Sequence, residues 1–177
     1  MGREEDVYNP QRKPTRRGVP VKNPPAPAQL EIRYGDLDPY GHVNNAVYLE
    51  FFEKVRFHYW RTLADLAGIN ELEAGDVPGA RYVIAETTVR YKVPIFFEDT
   101  IHGAAHISTI SNRSYTMDFE LRTGESFESG ALAAEGSAAH VFFDPLQNAV
   151  QPRPDWFLPT VAKLEGRPEE AFSPENR

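Results

Sequence analysis

Two aspartates, a histidine and two asparagines share one short run, Asp36-Leu37-Asp38-Pro39-Tyr40-Gly41-His42-Val43-Asn44-Asn45. Carboxylates and imidazoles are the common agents of nucleophilic attack and proton transfer. The run ends where a helical pattern begins. The first N–H groups of a helix lack intrahelical acceptors and lie at the positive end of its dipole. A carbonyl held there would have its developing negative charge stabilised. These residue types in this order point to attack on an acyl carbonyl.

The elements that must position them can be read from apolar spacing. Leu30–Tyr34 reads as a first strand, stopped by the two aspartates and the Pro39/Gly41 turn. A long helix is predicted from about Asn45 to Ala67. Tyr48, Phe52, Val55, Tyr59, Leu63 and Leu66 recur at the spacing of one helical face, and Val47, Phe51 and Trp60 widen it. Asn44 or Asn45 is the expected N-cap, Gly68 the stop, and Glu50 with Lys54 an i,i+4 pair. Strands follow at Arg81–Val93, Thr100–Ser111, Ser114–Arg122 and Leu132–Phe143, with turns at Asn112-Arg113 and Thr123–Glu125. Consecutive strands without intervening helices predict an antiparallel sheet. The fold class is α+β: about five strands wrapped round one long helix.

Of the fifteen prolines, only Pro39, Pro78 and Pro94 fall between residues 29 and 144. Proline removes backbone donors and interrupts helices and central strands. Residues 1–28 therefore read as a disordered or extended arm, 29–144 as the domain, and 145–177 as a C-terminal extension with a short helix at 155–165 capped by Asp155.

The 177 residues carry a net charge of -7, which argues against nucleic acid as a partner. The basic residues Arg12, Lys13, Arg16, Arg17 and Lys22 cluster in the arm. There is no cysteine, which excludes a thiol nucleophile, disulfides and thiolate metal sites. Neither a signal peptide nor an apolar run near the roughly 20 residues of a membrane span is visible. A cytoplasmic protein that does not enter membranes is expected.

Tyr34, Asp36, Asp38, Gly41-His42-Val43-Asn44-Asn45, Tyr48, Phe52-Glu53 and Arg56, together with Val89-Arg90-Tyr91-Lys92-Val93-Pro94-Ile95 and Asp99, resemble the hotdog-fold thioesterases of the 4-hydroxybenzoyl-CoA thioesterase-like family. The resemblance covers Leu30 to Phe143. It implies a curved antiparallel sheet round a central helix, assembly as a homodimer or homotetramer, and active sites shared between two chains. It also implies an acyl-CoA thioesterase: thioester and water give an acid and CoA. An acyl-ACP thioesterase and a non-catalytic acyl-CoA-binding protein are the alternatives. No cofactor is expected.

On this resemblance Asp38 is the catalytic carboxylate, either attacking the carbonyl to give a mixed anhydride or deprotonating water. His42 matches a histidine used in the acyl-ACP branch, where an asparagine lies two residues earlier; here that position is Tyr40. Asn45 contributes its backbone N–H to the thioester oxygen. Asp36 supports the loop. Tyr48 lies in the core or lines the acyl pocket, Glu53 and Arg56 pair, and Arg90, Lys92 and Arg113 are candidates for the CoA phosphates.

Two metal readings fail on spacing. Asp36-x-Asp38 resembles the start of a calcium loop, but Tyr40 occupies its fifth position and Val47 its twelfth, where oxygen ligands are required. His102, His106 and His140 show no paired zinc-ligand spacing.

Overall fold

The computed structural model describes residues 24–69, 77 and 79–174. The expected arm lies largely outside these residues. In chain order the elements are β1 (Ala28–Leu30), α1 (Val47–Ala67), β2 (Tyr82–Tyr91), β3 (Ile101–Ile110), β4 (Ser114–Thr123), β5 (Ala131–Asp144), β6 (Ala149–Val150) and α2 (Phe157–Glu165), with 3-10 turns at Tyr34–Asp36 and Glu169–Phe172. One sheet runs β1-β3-β4-β5-β2, every pair antiparallel, and β6 adds to the end of β5. The α+β class and the sheet around one long helix are as expected.

The helix buries Val47, Tyr48, Phe51, Phe52, Val55, Tyr59, Trp60 and Leu63. Two glycines let it approach the sheet closely. A Cβ on Gly136 would collide with the Phe52 ring, and one on Gly103 with the Val55 side chain. Phe52 then stacks on Phe119 of β4 at 4.8 Å. Gly68 ends the helix in the left-handed conformation (φ 73°), its N–H donating to the Ala64 and Asp65 carbonyls.

Three local expectations need correction. The first strand is Ala28–Leu30, not Leu30–Tyr34. Asp36 accepts from the Arg33 N–H at 2.8 Å and from its guanidinium at 2.8 Å, so residues 33–36 close on themselves and leave the ladder. Glu50 pairs with Arg33 at 3.1 Å instead of Lys54, which stands 5.3 Å over the Phe51 ring. The cap of α2 is Trp156, without a capping side chain, and Pro159 fits because the third helical N–H has no acceptor to lose.

Segment α2 seals one end of the core. Phe157 and Val161 are fully buried, and Phe157 packs among Trp60, Tyr115 and Phe142 at ring separations of 5.5, 5.3 and 5.1 Å. Glu165 follows them inside, accepting from Tyr59 Oη (2.8 Å) and the Ile107 N–H (2.6 Å) beside Arg167 (3.3 Å).

Candidate active site

The two aspartates of the opening run separate by environment. Asp36 is 2% exposed and gripped by Arg33. Burial pushes its carboxyl upward, but the Arg33 hydrogen bonds and charge outweigh this and hold it below the ordinary carboxylate range. Its carbonyl accepts the Asn44 N–H at 2.8 Å, so it braces the segment leading into α1. The expected supporting role describes this geometry.

Asp38 begins a tight loop. Its N–H donates to the His42 carbonyl (2.9 Å), its carbonyl accepts from the Gly41 N–H (3.0 Å), and Gly41 adopts φ 83°. Its Oδ1 accepts the Tyr40 N–H at 2.9 Å, an Asx turn around Pro39. Oδ2 lies 3.2 Å from His42 Nδ1. The hydrogen-bond partner of His42 Nδ1 is the Val43 carbonyl at 3.4 Å, so imidazole and carboxylate are close neighbours, and the Tyr40 ring stacks on the imidazole at 6.1 Å. A second segment fixes the histidine. His42 bridges Phe96, and the Val43 N–H donates to Ile95 O at 2.8 Å. Asp99 closes that segment by accepting the Phe96 N–H at 2.8 Å.

The helix mouth lies alongside. The expected cap at Asn44 or Asn45 is displaced: Ala46 precedes α1 without a capping side chain, while Asn44 Oδ1 accepts the Ala46 N–H (3.0 Å) and Asn44 O the Val47 N–H (2.9 Å), closing the turn before the helix. The Asn45 N–H between them has no acceptor among the described residues and stands at an exposed position. It is open to solvent.

Asp38, His42, Asn45 and Tyr48 line one open cleft of about 460 Å³, walled by Tyr40, Tyr91, Val93 and Pro94. Tyr48 is at once core and wall: it is 3% exposed, burial raises its phenol pKa, and its ring meets Tyr91 edge-on at 4.9 Å. Lys92 reaches the cleft and pairs with Glu135 at 2.9 Å. Arg90 also faces Glu135, at 3.6 Å, but is not part of the cleft wall. Arg113 lies at the far end of the sheet, beside the Val141 and Phe142 level where β2 begins. The ten residues of β2 separate the two levels, a span of ~30 Å at about 3.3 Å per residue. Within one chain, then, the structure gathers five of the seven expected residues, Asp38, His42, Asn45, Tyr48 and Lys92. Tyr40, Tyr91 and Glu135 were not singled out as site residues. Tyr91 stands in a recognisable motif, but its contact with the helix mouth is a pairing no local pattern encodes.

A larger depression of about 540 Å³ lies at the other end of β2, lined by Glu53, Arg56, Trp60, Tyr82 and Ile84. It contains the expected Glu53–Arg56 pair (3.0 Å) but none of the residues able to polarise a carbonyl at the helix mouth.

Residues 32–161 match the family model of the thioesterase-like superfamily. Long-chain acyl-CoA thioesterase FadM of Escherichia coli (strain K12) is 28% identical over 86 residues, 49% of this chain and 61% of that protein. The chain thus spans less than two thirds of this curated relative. A thioesterase from Thermus thermophilus, crystallised with coenzyme A and Zn, superposes with a TM-score of 0.69 at 28% identity, covering 84% of this chain and 99% of that one. A thioesterase-superfamily structure from Jannaschia sp. CCS1 shares the fold at 20% identity (TM-score 0.63, 80% and 83% covered). With a fold shared by these thioesterases and a family match over most of its length, the protein belongs to the thioesterase-like superfamily, in its hotdog fold.

Proposed function

We propose that the protein is an acyl-CoA thioesterase whose acyl carbonyl is polarised by the Asn45 N–H and attacked through Asp38. The observation that carries this reading is the unfilled Asn45 N–H at the mouth of α1, in one cleft with the Asp38–His42 pair. A thioester oxygen accepting that N–H gains a preorganised donor and the helix dipole as it becomes an oxyanion. Asp38 then adds to the carbonyl carbon or takes a proton from the water that adds. Collapse of the tetrahedral species expels CoA as a thiolate, which needs little protonation at neutral pH; on the nucleophilic route water then cleaves the anhydride, releasing the acid and restoring Asp38. His42, with Nδ1 3.2 Å from Asp38 Oδ2, stands beside the carboxylate and can carry the proton. Similarity to FadM and to the CoA-bound Thermus thermophilus structure supports CoA as the carrier. The same reading assigns the protein to the cytoplasm, on composition alone.

The working unit is proposed to be at least a homodimer. Among the described residues, strand β2 ends the sheet with an unpaired edge, and Val83 and Ile84 are each 45% exposed. Antiparallel pairing of two β2 edges would set the end of one strand beside the start of the other. The Asp38 cleft of one chain would then meet the Arg56–Trp60–Tyr82 depression of its partner. The partner's Arg113 would also lie at the level of this cleft, where phosphates of a bound CoA could reach it. The Arg113 role therefore depends on the second chain.

Thiol release from aryl, short-chain and long-chain acyl-CoAs, and from acyl carrier protein thioesters, tests the reading. Turnover of at least one acyl-CoA is expected. Binding without turnover of any thioester would replace the enzyme with an acyl-CoA-binding protein, and turnover of carrier-protein thioesters alone would replace CoA. In single-turnover hydrolysis in ¹⁸O water, label found in Asp38 establishes the anhydride route, with water attacking the aspartyl carbonyl.

A further inference from the structure

We propose that Tyr91 is a positioning residue for the carbonyl-polarising N–H of Asn45; the inference rests on the thioesterase reading above and assigns that site a residue from the sheet edge. Tyr91 is the last residue of β2, and its hydroxyl donates to the Asn45 carbonyl at 3.0 Å. This carbonyl belongs to the peptide joining Asn45 to Ala46. The N–H of the same peptide donates to Asn44 Oδ1 at 3.0 Å. One peptide plane is thus held from both sides, by Asn44 from the chain before it and by Tyr91 from a strand 46 residues away.

The consequence falls on the neighbouring peptide. The α-helical span begins only at Val47, and the Leu49 N–H bonds to the Ala46 carbonyl at 3.1 Å instead of reaching back to Asn45. Without Tyr91 the Asn45 carbonyl has no donor among the described residues, and the turn before the helix is held only by the Ala46 and Val47 N–H groups on Asn44, which leaves it looser about Asn45. Rotation there would swing the Asn45 N–H away from a bound thioester or bring a carbonyl oxygen toward the oxyanion. A misplacement of about 1 Å is enough to lose much of the stabilisation from a preorganised donor. Tyr91 also packs edge-on against Tyr48, which is itself buried, so its ring stays in place when the hydroxyl is removed.

The test is Tyr91→Phe in the full chain, with Asn44→Ala as the second variant acting on the same peptide. Steady-state kinetics on the best acyl-CoA are combined with amide hydrogen exchange at Asn45 and Ala46. Loss of one hydrogen bond of ordinary net strength predicts a kcat about five- to tenfold lower. KM should stay within about twofold, because substrate contacts are retained. Exchange at Ala46 should accelerate by a similar factor while the thermal midpoint holds. The double variant should lose less than the product of the two single losses, since both free one peptide. Wild-type turnover with kcat unchanged in Tyr91→Phe overturns this proposal alone. So does a rise in KM at constant kcat, or unchanged Ala46 exchange. A wild type that hydrolyses no thioester overturns the thioesterase reading and this proposal with it.

Discussion

At the C-terminal half of α1, Tyr59 donates its hydroxyl to the buried Glu165, Gly68 collects the last carbonyls, and Phe157 fills the space beside Trp60. At the N-terminal end of the same helix, the Asn45 N–H meets no acceptor among the described residues, and Asp38 and His42 face an open cleft. One helix therefore has a closed end and an open end. The closed end rests on aromatic burial and on the Tyr59 and Ile107 bonds to Glu165, which hold the scaffold. The open end keeps polar groups fixed by neighbours yet available to a ligand. The Asn45 N–H is an exposed donor in a braced frame, so a ligand can take it without breaking a protein hydrogen bond.

This contrast breaks most visibly at Phe157. Phe157→Ala should cost about 3–5 kcal/mol of stability, as expected for a fully buried aromatic, read by chemical denaturation. Below its unfolding temperature kcat should be close to wild type, because the closed end holds none of the reacting groups. At the open end the expectation reverses. Asn45→Pro removes the N–H, and kcat should fall roughly 10²- to 10³-fold, the usual loss for one oxyanion donor. Asn45→Ala keeps the N–H and should stay within about threefold of wild type, a margin far smaller than that loss. Equal losses for Pro and Ala would mean that the side chain matters and the donor does not.

Titration sharpens the contrast within the scaffold. The folded-state pKa of Asp36 is depressed, so its contribution to stability is present above the ordinary value of 3.8 and is lost as pH falls through the folded value. Asp36→Asn should lower stability at neutral pH and flatten the acid limb of the stability curve. His140, buried and stacked on Tyr115 at 4.4 Å, has its pKa pulled down to about 3 by burial and by Arg56. It stays neutral in the fold while the unfolded chain takes up a proton below pH 6.5. Stability therefore falls as pH drops from 6.5 toward 3. His140→Phe should weaken that dependence within this window, measurable by thermal midpoints at a series of pH values.

Much of this architecture was legible in the chain. The stripe from Tyr48 to Leu63 repeats at helical spacing because one face must be buried, and Gly68 stops it because a left-handed residue must. The Asp38–Asn45 run was readable because its residue types and its position before the helix belong together. The start of β1 was not, because the Arg33–Asp36 closure is a competition between side chain and ladder that apolar spacing does not report. Glu50 chose Arg33 over Lys54 because the chain brings Arg33 to the helix from outside it. Lys92 and Arg90 look equivalent in sequence, yet only Lys92 reaches the cleft, because the cleft opens beyond the end of β2, where Lys92 follows Tyr91 out of the strand. Contacts such as Tyr91 to Asn45 join segments far apart in sequence and emerge only with the fold.

The central claim is tested most directly by comparing kcat/KM for Asp38→Asn and Asp36→Asn on the same acyl-CoA, with folding checked by thermal midpoint. The geometry predicts a loss of about 10³-fold or more for Asp38→Asn, in the range for removing a nucleophile or general base. That variant should keep a near-normal midpoint, whereas Asp36→Asn should lose mainly stability. An Asp38→Asn enzyme within about tenfold of wild type, stably folded, would contradict the account.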